Sequence, residues 1–191
     1  MPKKPDAQLE NRILNAAYTL WVEGGEHGLT MRAVAKAART TTPTLYERFC
    51  SKGDLLAALR ARAQRNLLDA IKPARSIAEA CRFALDFTLG HGHEYELVAK
   101  EWAARLSRRE PTPSFDLIKE RLAEQLGGSA NDHLQLGLAL VALYHGASIL
   151  LLNEGIDPKI AADIKQACVS ATDALVQNAA RTAESRPAPA K

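Results

Sequence analysis

The chain has 191 residues, 47% of them apolar and only 5% aromatic, with a net charge of +3. This length suits one large helical domain, or a small domain joined to a larger one, and abundant alanine and leucine with few β-branched runs predict an all-α fold. No stretch reaches about 18 unbroken apolar residues, which argues against a membrane span, and the start MPKKPDAQLENR lacks the apolar run of a signal peptide, so a cytoplasmic protein is expected.

Nine helices are expected. The first covers about 6–24 and is stopped by Gly24-Gly25. Two short helices follow within GLTMRAVAKAARTTTPTLYERFCSKGDLL. One covers about 30–37, capped by the Thr30 hydroxyl. The turn is Ala38-Arg39-Thr40. The next helix opens at Thr41 or Thr42, with Pro43 in its first turn, where a missing N–H costs nothing. Val34, Ala35 and Ala38 are placed to pack against Leu45 and Phe49. The fourth helix starts at Lys52 behind the Ser51 cap and runs towards Ala70, with Arg60, Arg62 and Arg65 expected on a solvated face. Pro73 breaks the chain.

The fifth helix, about 76–89, opens with Ser76 and Glu79 as a capping box and carries an apolar stripe of Ile77, Cys81, Ala84 or Leu85, and Thr88. Gly90-His91-Gly92 interrupts it. The sixth covers about 95–107 and the seventh about 114–126, the latter ending at Gly127-Gly128. The eighth, about 131–153, is the apolar run GLALVALYHGASILLLNEG. The ninth, about 158–181, starts from an Asp157 cap with Pro158 at its first position. Residues 183–191 are expected as a flexible tail.

The charge is uneven. Residues 1–60 hold nine cations against six anions, and the remainder holds sixteen of each, so the whole excess lies at the N-terminal end. Cys50, Cys81 and Cys168 are odd in number, far apart and in no C-x-x-C spacing, so a disulfide framework or cysteine zinc site is not expected. Cys81 and Cys168 read as small core residues.

The pair of short helices resembles the DNA-binding domain of the tetracycline-repressor (TetR) family of bacterial transcriptional regulators. The matching residues are Thr30-Met31-Arg32, Val34-Ala35, Pro43-Thr44-Leu45-Tyr46, Phe49, and Ser51-Lys52 with Leu55-Leu56; Arg12-Ile13-Leu14, Ala16-Ala17 and Leu20 match the helix before them. The resemblance covers about residues 10–60. It departs from the family at Arg39, where glycine is usual, and at Thr40, where an aliphatic is usual. Arg39 must then adopt a turn conformation that residues with a Cβ disfavour. The resemblance implies a helix-turn-helix domain over 1–51 and an effector-binding and dimerisation domain over 52–182. It puts Arg32, Thr42, Pro43, Thr44, Tyr46, Glu47, Arg48 and Lys52 at DNA-contacting positions. Thr42, Thr44 and Arg48 suit base edges, and Tyr46 and Lys52 suit phosphates.

The eighth helix, apolar on nearly every face, has to be covered all round. Gly137, Ala142 and Gly146 allow close helix approach. The ninth helix offers Ile160, Ile164, Ala167, Cys168, Ala171, Leu175 and Val176 at helical spacing. Two such helices from each of two subunits make a four-helix bundle, which fits a protein reading a two-fold, palindromic operator. Phe83, Phe87, His91, Trp102, Arg105, Tyr144 and His145 supply aromatic and polar side chains of the kind that line a small-ligand pocket. The family implies an effector there, which releases DNA, and the fourth helix is the expected lever. The expected ligand is small and largely apolar.

No catalytic motif stands out, and no cofactor or metal is expected. His91 and His93 straddle a helix break with no fixed third ligand, so they read as surface or pocket histidines. The expectation is thus a homodimeric, non-enzymatic repressor. The rivals are an effector-independent helical DNA-binding protein and a helical enzyme using the His91 region with Glu94 or Glu101.

Overall fold

The structure is a computed structural model and describes residues 7–184. Lys3, Lys4 and residues 185–191 of the expected tail lie outside them. Among the described residues are nine α-helices, one 3-10 turn and no strand. The helices are α1 (Ala7–Gly28), α2 (Met31–Ala37), α3 (Thr42–Tyr46), α4 (Lys52–Ile71), α5 (Ile77–Gly90), α6 (Gly92–Ser107), α7 (Pro113–Leu126), α8 (Leu134–Leu151) and α9 (Pro158–Glu184). The chain divides after Ala63 into two compact units, so the division falls inside α4 rather than at its start.

In the first unit, α1 packs on α2 and α2 on α3. Ile13, Leu14, Ala17 and Trp21 are buried on one face of α1, at the spacing of an amphipathic helix. Gly25 breaks this helix with φ 57° and ψ −151°, and one further helical turn follows, so the expected stop becomes a kink. The first turns of α4 belong to the same core through Leu55, Leu56, Leu59 and Ala63, all buried. The arginines of α4 do not all face water. Arg62 donates to the Asn15 Oδ1 at 2.7 Å and the Leu14 carbonyl at 3.2 Å, and lies 5.7 Å from the Tyr18 ring centre. Of the three, Arg65 is exposed, whereas Arg60 and Arg62 are half-buried. The Arg62 guanidinium satisfies α1 backbone and side-chain acceptors while its stem covers apolar surface, which sequence spacing alone does not foretell.

In the second unit, α5 packs against α6, α7, α8 and α9, and α8 against α7 and α9. Ser76 caps α5 by accepting from the Glu79 N–H at 3.1 Å, while the Glu79 carboxylate reaches one residue further back, to the Arg75 N–H at 2.6 Å. Two apolar clusters hold the unit together. Ile77, Leu122, Leu140 and Val176 form one, and Leu85, Ala147, Leu151 and Cys168 the other. Helix α9 continues to Glu184, two residues into the span expected as a tail.

Residues Ala130–Leu151 are long and apolar enough to cross a bilayer by length and composition. In the fold, α8 instead packs one side against its neighbours. Gly137 faces α7 of the same chain, where a Cβ would meet the Phe115 ring at 3.0 Å, so this glycine serves an internal approach rather than one between subunits. The opposite side of α8 carries Ala139, Ala142, Gly146, Ile149 and Leu150, all exposed. Ile149 is 67% exposed and Leu150 54%, and on α9 Ile160 is 51% and Leu175 40%. The α9 stripe expected as one surface is thus divided, since Cys168 and Val176 are buried within the chain.

Candidate nucleic-acid interface and internal cavity

Helix α2 is nucleated by Thr30, whose hydroxyl accepts from the Ala33 N–H at 3.2 Å. It ends in a Schellman arrangement: the Thr40 N–H reaches the Ala35 carbonyl at 3.0 Å and the Arg39 N–H the Lys36 carbonyl at 3.2 Å. Arg39 takes the left-handed position with φ 53°. The departure from glycine therefore leaves the turn type intact, at a cost of about 1–2 kcal/mol for placing a Cβ there. What the turn fixes is the direction in which α3 sets out. Thr41 caps α3 by accepting from the Thr44 N–H at 3.2 Å, and the two threonine hydroxyls share a bond of 2.8 Å.

Leu45 anchors α3, and with Val34, Ala35, Ala38 and Phe49 it is buried. Fixing those positions inward turns the rest of the segment outward. Arg32, Pro43, Tyr46 and Glu47 are exposed, and Thr42, Thr44, Arg48 and Lys52 are half-buried. The Lys52 ammonium donates to the Glu26 carbonyl at 2.6 Å, tying the start of α4 to the end of α1. This contact has no local sequence signal, because it spans 26 residues.

The second unit holds a cavity of about 70 Å³. Its wall is almost wholly carbon, from Leu67 and Ile71 of α4, Val98 of α6, and Phe115 and Ile118 of α7 among others. The volume exceeds the 10–15 Å³ that one water needs but is small beside the 300–1,000 Å³ of drug-sized pockets. Of the seven residues expected at an effector pocket, Trp102, Tyr144 and His145 line it, and Phe83, Phe87, His91 and Arg105 do not. Phe83 lies under the Arg82 guanidinium, 5.3 Å from its ring centre. Phe87 is buried and tilts against the exposed His91 at 5.0 Å. Arg105 points its Nε towards Glu110 at 3.9 Å.

Around the cavity runs an aromatic cluster. Trp102 meets Phe115 edge-on at 5.8 Å and His145 at 5.5 Å, and Tyr95 meets Tyr144 edge-on at 6.0 Å. The polar tips are paired. The Thr88 hydroxyl donates to the Ala84 carbonyl at 3.0 Å, leaving it to accept from the Tyr144 hydroxyl at 2.9 Å. The Tyr95 hydroxyl shares a bond of 3.0 Å with His145 Nδ1. Burial pushes both tyrosines above the ordinary phenol range and pulls His145 below the ordinary histidine value. Thr88 escaped attention in the sequence because its hydroxyl reads there as part of an apolar stripe. Among the described residues no three His, Cys, Asp or Glu converge as metal ligands.

Residues 13–59 match the family model described as "Bacterial regulatory proteins, tetR family". No curated protein sequence matches the chain. Solved structures share its fold. A TetR-like transcriptional regulator from Rhodococcus sp. RHA1 is 21% identical with a TM-score of 0.58, over 96% of this chain and 100% of that one. The TetR family transcriptional regulator PfmR from Thermus thermophilus is 18% identical with a TM-score of 0.54, over 87% and 97%. The TetR-family regulator SCO0857 from Streptomyces coelicolor A3 is 15% identical with a TM-score of 0.55, over 93% and 99%. Residues 13–59 carry the helix-turn-helix segment that the family model describes, and the second unit shares an all-α fold with these structures. The match to the TetR family is carried by residues 13–59, and beyond them the likeness is one of fold.

The buried imidazole generates a pH dependence. Because His145 is held below its ordinary 6.5 when folded, the unfolded chain takes up its proton first. The His145 contribution to stability is therefore constant above about pH 6.5 and falls as the pH drops below it. Melting temperatures measured between pH 7.5 and about pH 5 should decline for the wild type and less steeply for His145→Gln. Equal slopes would contradict the assignment.

Proposed function

We propose that the chain is a homodimeric repressor that leaves its operator when a small, largely apolar molecule occupies the cavity of the second unit. One observation carries this reading: α4, which opens at Lys52 directly behind the helix-turn-helix, ends with Leu67 and Ile71 in the cavity wall. A ligand that favours one position of this helix acts on both of its ends. A coupling of about 1–3 kcal/mol suffices for useful control. The carbon-lined wall, with hydroxyl and imidazole groups at Tyr144 and His145, favours an apolar ligand with one or two polar groups. At 70 Å³ the cavity must widen for anything larger than a small organic group.

The exposed Ala142, Gly146, Ile149 and Leu150 of α8, beside Ile160 and Leu175 of α9, support a second copy as the cover. A two-fold dimer presents two α3 helices to successive major grooves, about 34 Å apart. Tyr46, Pro43, Arg32 and Glu47 are exposed for contact, with Thr42, Thr44 and Arg48 as base-edge candidates. A cytoplasmic location follows from this reading. The enzyme alternative finds little support, because the His91 and His93 side chains are separate from the cavity wall.

Three measurements test this function. Genomic DNA fragments retained by the purified protein give the operator. On it, Lys52→Ala should lower the salt slope by about one phosphate contact, and Arg48→Ala should cost about 1–3 kcal/mol and relax base preference. Unchanged binding in both variants, with unfolding curves showing them folded, would remove the interface assignment. In sedimentation the wild type should be a dimer at micromolar concentration and Gly146→Glu a monomer, whereas a monomeric wild type refutes the dimer. In a thermal-shift screen of small apolar compounds, hits should raise the wild-type melting temperature and lose that effect in Trp102→Ala and Tyr144→Ala. Identical responses would place the ligand elsewhere.

A further inference from the structure

Cys81 and Cys168 lie 87 residues apart, yet the packing of α5 on α9 brings their sulfurs to 3.6 Å. Both are free thiols. Their surroundings differ. Cys81 is half-buried and lines the apolar cavity, whereas Cys168 is buried behind it, its thiol 3.8 Å from the Leu143 carbonyl. Beside them on the same wall is Thr172, 1% exposed, whose hydroxyl neighbours the Cys81 thiol. A hydroxyl on a cavity wall next to a thiol is available to a polar group formed on that sulfur. Two touching thiols and a hydroxyl thus meet beside a cavity that a small molecule can occupy.

We propose that Cys81 and Cys168 form a redox site, in which an organic hydroperoxide entering the cavity is reduced and the two thiols close into a disulfide between α5 and α9. The chemistry balances with these two residues alone. The Cys81 thiolate attacks the terminal oxygen of the hydroperoxide and the O–O bond breaks. The alkoxide takes up the thiol proton and leaves as an alcohol. Cys81 is now a sulfenic acid, whose hydroxyl the Thr172 side chain is placed to hold. The Cys168 sulfur attacks the Cys81 sulfur, the S–S bond forms, and the hydroxyl departs as water with the Cys168 proton. Two thiols have lost two electrons, and one hydroperoxide has become one alcohol and one water.

The roles are assigned by environment. The neighbouring Cys168 thiol donates a hydrogen bond that stabilises a Cys81 thiolate and pulls that thiol down to about 7, and the same contact with burial pushes Cys168 up. Cys81, half-buried and lining the cavity, is the attacking group, and the buried Cys168 is the resolving one. The sulfurs must close from 3.6 Å to about 2.05 Å for the bond to form. The carbon-lined wall selects a hydroperoxide with an apolar body over hydrogen peroxide, which gains nothing from leaving water for such a site.

tert-Butyl hydroperoxide, a small organic hydroperoxide, is the probe, applied to the full chain carrying Cys50→Ser so that the exposed third thiol cannot cross-link separate molecules. Peptide mass mapping should find the Cys81 and Cys168 peptides joined, with both free thiols lost and both recovered by dithiothreitol. In Cys168→Ser the reaction should stop at a Cys81 sulfenic acid trapped by dimedone, and in Cys81→Ser the Cys168 thiol should survive. Free Cys81 and Cys168 in the treated protein would overturn the proposal, as would dimedone capture on Cys168 in place of Cys81. Equal rates with hydrogen peroxide would overturn the choice of an organic hydroperoxide. The mapping is done on wild-type residues at both sites, so its outcome does not depend on whether the variants fold. It reads thiol chemistry only and stands or falls apart from the operator and dimer assignments.

Discussion

An 18-residue helix that is apolar on all sides makes demands that one small domain meets only in part. Helix α8 is wrapped on one side by α5, α7 and α9, and the arrangement of the second unit follows from that need. Helix α5 lies against both α8 and α9 and contributes to both apolar clusters through Ile77 and Leu85. Gly137 lets α8 approach Phe115 of α7 closely enough that a methyl group would crowd the ring. What remains uncovered, from Ala142 to Leu150, is the face on which a second copy is proposed to sit. Core packing and surface character are two sides of one helix.

The cavity arises from the same packing. Tyr95 meets Tyr144 edge-on and Trp102 meets Phe115 edge-on, and three of these rings stand in the cavity wall. Their polar tips are satisfied by Thr88 and His145, so the wall that remains is apolar. Cys81 and Thr172 place a nucleophile and a hydroxyl on that wall, a chemical asymmetry that an inert core does not require.

The helix-turn-helix works differently, because it is determined almost residue by residue. Thr30 and Thr41 cap successive helices, and the turn between them closes through two backbone bonds around Arg39. The inward commitments of Val34, Leu45 and Phe49 leave only one set of side chains to face outward. The interface is a consequence of local capping and a few apolar anchors, and for that reason the expected elements and the observed ones agree to within a residue or two.

The amino-acid sequence by itself determined what depends on near neighbours: the all-α class, the nine helices among the described residues, and the caps at Thr30, Ser51, Ser76 and Asp157. These rest on hydrogen bonds and steric limits within three or four residues, which a linear reading can see. Only the tertiary structure decided which members of the aromatic set meet at one cavity, why Arg62 turns inward to α1, that Lys52 binds the Glu26 carbonyl, and that Gly137 serves an internal contact. It alone decided that Cys81 and Cys168, far apart in the chain, touch. Periodicity tells which face of a helix is apolar but not which neighbour that face meets. Contacts across 26, 47 or 87 residues depend on how helices cross, and crossing is settled by the mutual fit of side chains from several helices at once.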